Sequence, residues 1–389
     1  MVTMLKFAIV LTLLFVFCEG TVRVPLEIVK LKKRNADDPI AISQTTGQPG
    51  SDYLLLYNEA NTITIGEIKV GTPPQILNVA IDTSVVDLWL PGRFCPFYGC
   101  GKKRIYDSSK SQTFTGTDRT TIFNYQQGTV YGTVVADKVC IQSFCSEKQS
   151  FIQAYQTTYN FWEIPYDGVL GLAPSQDSLI RESNVITNIV QSKALNQSIF
   201  TIWKARKPWT TSTKTESGLL TIGDYDRLHC SSFCTYRPTS YGRWHFNIDG
   251  VSVGQATFSK RNLTKAQYHS SYECSTSSSL PFILGPQKEI MRIARLLKAK
   301  YNPLYRLFYI NCDDEKTLAP VWFNAENVAL PINPENYIIR ISNMCLLAFQ
   351  MNTQFRYGPD WVLGEPWFKQ YCVVHDFTNR RIGFCPSMM

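Results

Sequence analysis

The sequence predicts a mainly β chain folded as two related lobes. Aromatic residues make up 13% of its 389 residues and charged residues only 18%, and short Val/Ile/Thr/Tyr/Phe runs lie between Gly, Pro and Asn clusters. Such runs read as strands joined by turns, and the length suits two domain-sized bodies. A repeat supports the duplication. Asp82-Thr83-Ser84 follows the apolar run Leu77–Ile81 and precedes Val169-Leu170-Gly171, while Ser275-Thr276-Ser277 follows Tyr272-Glu273-Cys274 and precedes Val362-Leu363-Gly364. Both the triplets and the glycines are offset by 193 residues. In that register Asp82 of the first copy faces Ser275 of the second.

Residues 1–20 read as a secretory signal. Lys6 precedes the apolar run Phe7–Phe17, which is too short to span a bilayer, and the small residues Cys18 and Gly20 suit cleavage after Gly20. No later segment is long and apolar enough to cross a membrane. Residues 21–61 are expected to be a propeptide-like leader, with a basic cluster from Lys30 to Arg34 and a Ser/Thr/Gln/Gly-rich linker from Ala41 to Ser51. Lobe one is placed at 62–228 and lobe two at 229–389. The clearest helix is Lys288–Leu297, where Ile290, Ile293, Ala294 and Leu297 recur at helical spacing.

Eleven of the twelve cysteines lie beyond the signal, which suits an oxidising, secreted or lysosome-like destination. Cys95/Cys100, Cys140/Cys145 and Cys230/Cys234 are close in sequence; Cys312/Cys345 and Cys372/Cys385 are more distant candidates, the last stapling two strands around Asp376–Asn379. Connectivity is not fixed by spacing. The cysteines are scattered and only four histidines exist, so no metal site is expected. Cys274 is left over; beside Ser275 on a strand it points to the opposite face and reads as a buried thiol. The net charge of +8 is spread out, giving a mildly basic solvated surface rather than a nucleic-acid stripe. Asn196-Gln-Ser198 and Asn262-Leu-Thr264 are glycosylation sequons.

Five landmarks in order carry a resemblance. They are Gly66–Gln75, Asp82–Pro91, Tyr125 within Asn124–Gly128, Asp167–Leu172, and Val362-Leu363-Gly364. Together they resemble the pepsin-like aspartic proteases from about Thr62 to Pro386. The resemblance implies a bilobal β fold with a cleft between the lobes, basic leader residues that neutralise cleft carboxylates, Tyr125 as the tyrosine of a covering flap, Trp89 behind it, and Tyr125, Gly128, Thr83 and Thr276 as substrate-binding residues. It also implies bridges Cys95–Cys100, Cys230–Cys234 and Cys312–Cys345, Thr83 and Thr276 cross-linking the two central loops, no cofactor, and a monomer.

In that family two carboxylates, one per lobe, share a water and a proton, because two close carboxylates do not both ionise easily. Asp82 supplies the first, and Ser275 stands where the second is expected. A serine hydroxyl cannot act as the missing base, and losing acid–base assistance costs about 10² to 10⁴ in rate. Further departures agree: the glycines that close the catalytic triplets are Ser84 and Ser277, a customary hydroxyl is Val85, and the residue after Tyr125 is Gln126. Glu273 could replace the acid only by breaking the register, roughly 6–7 Å along the strand. No nucleophile elbow or histidine triad supports a serine hydrolase. The expectation is a pseudoprotease that holds a peptide or protein in the cleft, with main-chain hydrogen bonds and side-chain pockets. The alternatives are an active acid endopeptidase, or a carrier that uses an outer surface.

Overall fold

The computed structural model describes residues 52–59, 63–125, 128–162, 164–206, 215–240, 242–255, 271–325, 327–341, 344–352 and 358–388. The expected signal and the leader up to residue 51 lie outside them. The fold is β-rich, with sheets of thirteen, five, four and three strands. No described helix is long and apolar enough to cross a membrane. The expected helix is present as Gln287–Leu296, burying Ile290, Ile293 and Ala294.

The duplication is visible in the strand pairing. In the first half, Val79–Asp82 runs parallel to Gly168–Gly171, pairing Asp82 with Gly171. In the second, Cys274–Thr276 runs parallel to Trp361–Leu363. Strands buried on both faces are near-continuously apolar, as in Val79-Ala80-Ile81. The glycine at the end of the first partner strand, and the one just after the second, leave no room for a side chain. A Cβ on Gly171 would meet the Val86 backbone at 2.4 Å, and one on Gly364 the Phe282 carbonyl at 2.2 Å.

Between the halves the thirteen-stranded sheet runs Thr235–Pro238, Arg381–Pro386, Tyr371–Asp376, Ile199–Lys204, Thr215–Ile222, Asp52–Glu59, Ile63–Val70, and on into the first half. Asp52–Glu59, which the leader was expected to include, is therefore integrated into this sheet, antiparallel to Thr215–Ile222 on one side and Ile63–Val70 on the other. The sheet therefore takes in part of the stretch expected to be leader, from Asp52 to Glu59.

Bridges join Cys95 to Cys100, Cys140 to Cys145 and Cys312 to Cys345. The remaining four cysteines correct the expected pairing: Cys230 joins Cys372, and Cys234 joins Cys385. Cys372 and Cys385 are opposite each other across an antiparallel pair, so both side chains stand on one face. The 229–231 segment hydrogen-bonds along 386–388 beside them, and the two sulfurs reach to Cys230 in it and to Cys234 just beyond it rather than to each other. Cys274 is unbridged and buried, and burial holds its thiol pKa well above the usual range.

Candidate active site

Asp82 ends its strand fully buried at the junction of the halves. Its carboxylate accepts five hydrogen bonds. Oδ1 takes the Ser84 N–H at 2.8 Å, Ser84 Oγ at 2.7 Å and Ser277 Oγ at 3.1 Å. Oδ2 takes Tyr125 Oη at 2.7 Å and Ser279 Oγ. A carboxylate offers about four lone-pair sites, so this one is saturated, and every side chain on it is a hydroxyl.

The residue that faces Asp82 across the junction is Ser277, not Ser275. The backbone cross-links show why. Thr83 Oγ1 donates to the Thr276 carbonyl at 2.9 Å and accepts from the Ser278 N–H at 3.3 Å. Reciprocally, Ser278 Oγ donates to the Ile81 carbonyl at 2.6 Å and accepts from the Thr83 N–H at 3.2 Å. The symmetric partners are thus Thr83 and Ser278, which makes Ser277 the counterpart of Asp82 and Ser279 the counterpart of Ser84. Ser277, expected at a glycine position, takes the acid's position, and Thr276 contributes mainly its carbonyl. The offset is 195 at the turn but 193 at the glycines, because the chain between turn and glycine is two residues shorter in the second half. Ser275 sits two residues earlier on the strand and lines a small cavity of about 50 Å³ with Thr83, Ser84 and His245. Across that cavity Arg243 makes a two-pronged ion pair with Asp177, at 2.6 and 2.9 Å.

Ser279 and Ser278 were not singled out from sequence. Their signal was the run Ser277-Ser278-Ser279 before the apolar Leu280, which parallels Asp82-Thr83-Ser84 before Val85. Ser84 also accounts for a departure noted in the sequence. Val85 cannot supply a hydroxyl to Asp82, and Ser84 Oγ does so instead. Glu273 offers no replacement acid: its carboxylate lies 3.1 Å from His245 Nδ1, and its N–H donates to Asp360.

The flap is the hairpin Thr120–Tyr125/Gly128–Ile141, closed by the pair Tyr125–Gly128. Gly128 has φ +152°, and a Cβ there would meet Thr158 Oγ1 at 2.0 Å, so its role is to let the hairpin lie against its neighbour. Tyr125 stacks on Phe123 and reaches Ser279 Oγ at 3.0 Å as well as Asp82. Burial first, and then the Asp82 charge, raise its pKa well above normal, so it remains a hydroxyl donor. Trp89 packs edge-on against Phe161 at 5.2 Å in the same apolar cluster as Tyr125.

Behind the second turn, Lys204 donates to the Ser278 carbonyl at 2.7 Å and pairs with Glu365 in the buried interior. The expected glycan-bearing Asn196 is exposed just before Ile199–Lys204; Asn262 lies outside the described residues. No group of acids, histidines and cysteines that could hold a metal occurs among the described residues. The site therefore brings one carboxylate, four hydroxyls and a closed flap together at the junction. Such a group can accept hydrogen bonds and anchor a donor, but it has no partner with which to hold a shared proton.

The family model described as eukaryotic aspartyl protease matches residues 64–387. Pregnancy-associated glycoprotein 2 of Bos taurus is 28% identical over 86% of this chain and 84% of its own. Pepsin A of Canis lupus familiaris is 27% identical over 85% and 83%. Cathepsin E of Aquarana catesbeiana is 25% identical over 98% and 97%.

Proposed function

Because the chain belongs to the eukaryotic aspartyl protease family and has its pepsin-like bilobal fold, we propose that it is a pseudoprotease: a cleft protein that holds peptide or protein without efficient hydrolysis. One observation carries this reading. Opposite Asp82, at the position of the second acid, is the hydroxyl of Ser277, 3.1 Å from Oδ1. In a carboxylate pair one member takes a proton from the water that attacks the peptide bond while the other, protonated, serves the carbonyl oxygen, and a serine hydroxyl cannot receive a proton as a base. The five donors on Asp82 also occupy the lone pairs that would orient an attacking water. An extended ligand would enter by lifting the flap and exchanging the Tyr125 and Ser279 hydroxyls for its own donors. Five disulfides favour a route through the secretory pathway.

The test is digestion of a denatured protein from acid to neutral pH by the chain expressed without residues 1–20. No turnover above that of the Asp82→Ala variant is expected. The converse variant, Ser277→Asp with Ser84→Gly and Ser279→Gly, is expected to gain about 10² or more in rate. Turnover by the native chain that disappears with Asp82→Ala would identify an active acid endopeptidase and overturn the reading.

A further inference from the structure

Far from Asp82 in function, the Cys95–Cys100 loop exposes an unusual surface. Phe94 is 83% exposed, Phe97 73%, Tyr98 57%, and Tyr159 from the adjoining 3-10 turn 64%. Isolated apolar side chains on a surface are ordinary, but a contiguous aromatic patch is not. These residues are contiguous. The short helix Phe97–Cys100 packs against the turn Tyr159–Phe161, and the Phe97 ring meets Trp162 at 4.7 Å.

The loop is also rigid and basic. Its ends are bridged by Cys95–Cys100. Lys103 is buried and ties the loop to the following segment through the carbonyls of Ile164 and Tyr166. Arg93, Lys102 and Arg104 are exposed in the same stretch of chain as the aromatics, and Lys102 Nζ lies 4.7 Å from the Trp162 ring centre. No acidic residue occurs between Arg93 and Tyr106.

We propose that this loop docks the protein on an anionic phospholipid surface. Aromatic rings exposed on a disulfide-closed turn enter the headgroup boundary at little ordering cost, and the cations of the same stretch meet lipid phosphates and carboxylates. The complementarity favours a lipid surface over a protein partner. A protein would have to offer an acidic rim around an apolar pocket shaped for four rings, whereas an anionic bilayer presents acid over apolar depth everywhere. The inference is independent of whether the cleft cuts peptides.

The test is co-sedimentation of the full chain, without residues 1–20, with phosphatidylcholine vesicles that contain or lack phosphatidylserine. Binding is expected only to the phosphatidylserine vesicles, and to weaken with salt. Phe94→Ser with Phe97→Ser should lower affinity by roughly tenfold or more. Lys102→Ala or Arg104→Ala should each lower it about fivefold. All substitutions are at exposed side chains, and an unchanged thermal unfolding midpoint checks that each variant is folded. Three results would each overturn the proposal: no binding to phosphatidylserine vesicles, binding unaffected by the two Phe substitutions, or equal binding to a sulfated polysaccharide that survives them. The last would assign the cations to a polyanion and leave the rings without a role.

Discussion

The Tyr125 hydroxyl is aimed at a buried carboxylate, and hydrogen bonds of this kind contribute about 1–3 kcal/mol. Tyr125→Phe keeps the ring packing and leaves Ser279 on Oδ2. Denaturant unfolding is expected to show a loss in that range, while Ile122→Ala, at the exposed face of the same flap strand, should change stability little. His375 gives a different signature. It is buried, stacked at 4.2 Å on Phe200 and edge-on to Trp244, and burial lowers its pKa to about 3. The unfolded imidazole takes a proton near its ordinary 6.5, whereas the folded one does not until about 3. Between those values the unfolded chain binds the extra proton, so stability is full above 6.5 and falls by roughly 1.4 kcal/mol per pH unit below it. His375→Leu is expected to remove that part of the slope, read as the difference between wild-type and variant unfolding curves from pH 7 to pH 4. The buried histidine thus works against stability in the acid range where a two-carboxylate protease operates. At this scale the flanking apolar runs and the flap motif marked out Asp82 and Tyr125, and the fold brings the two together at 2.7 Å. It misassigned the opposing serine because three consecutive serines carry no internal mark of register, and the glycine used as anchor lies beyond a loop of different length.

The strand Ile199–Lys204 and the helix Glu365–Gln370 meet through a buried ion pair. Lys369 on the same helix has its pKa lowered to about 8, first by burial, with Lys204 adding repulsion that Glu365 opposes. Removing one member of a buried pair leaves an uncompensated charge and costs about 3–5 kcal/mol, whereas replacing both by apolar residues is often near neutral. Lys204→Met is therefore expected to be markedly less stable than Lys204→Met with Glu365→Leu, by denaturant unfolding. It should also loosen the Ser277–Ser279 turn, since Lys204 holds the Ser278 carbonyl. Elements with a clean period were legible: the helix Gln287–Leu296 was placed within a residue at each end. The strand Asp52–Glu59 was not, although Tyr53-Leu54-Leu55-Leu56-Tyr57 is apolar throughout. Its neighbours in the sheet come from residues 63–70 and from 215–222, and only the near one is visible locally.

Across the whole molecule, two long-range bridges fasten the chain's end to the start of its second half. Cys230–Cys372 closes 142 residues, but with Cys234–Cys385 kept the loop it adds is only the stretches 230–234 and 372–385, about 17 residues, against five for Cys140–Cys145. In the loop-entropy account these are worth about 3 and about 2 kcal/mol. The double variant Cys230→Ser/Cys372→Ser is expected to unfold at a lower temperature than Cys140→Ser/Cys145→Ser. Equal midpoints would show that loop length does not govern here. The duplication itself was legible as a spaced repeat, but the crossed pairing was not, because it depends on which face of a sheet another segment covers.

The strand Asp52–Glu59 is the ribbon through which the sheet between the halves continues into the first half. A chain starting at Asp52 should remain soluble and monodisperse. One starting at Ile63 would bare a lengthwise strand edge on each side of the gap, an invitation to self-association, and should elute as aggregate on size-exclusion chromatography. A cut just before Ile63 would therefore not merely shorten the protein but unzip it, and any trimming that the fold tolerates has to stop short of this one strand, where the continuity of a single fabric is at stake.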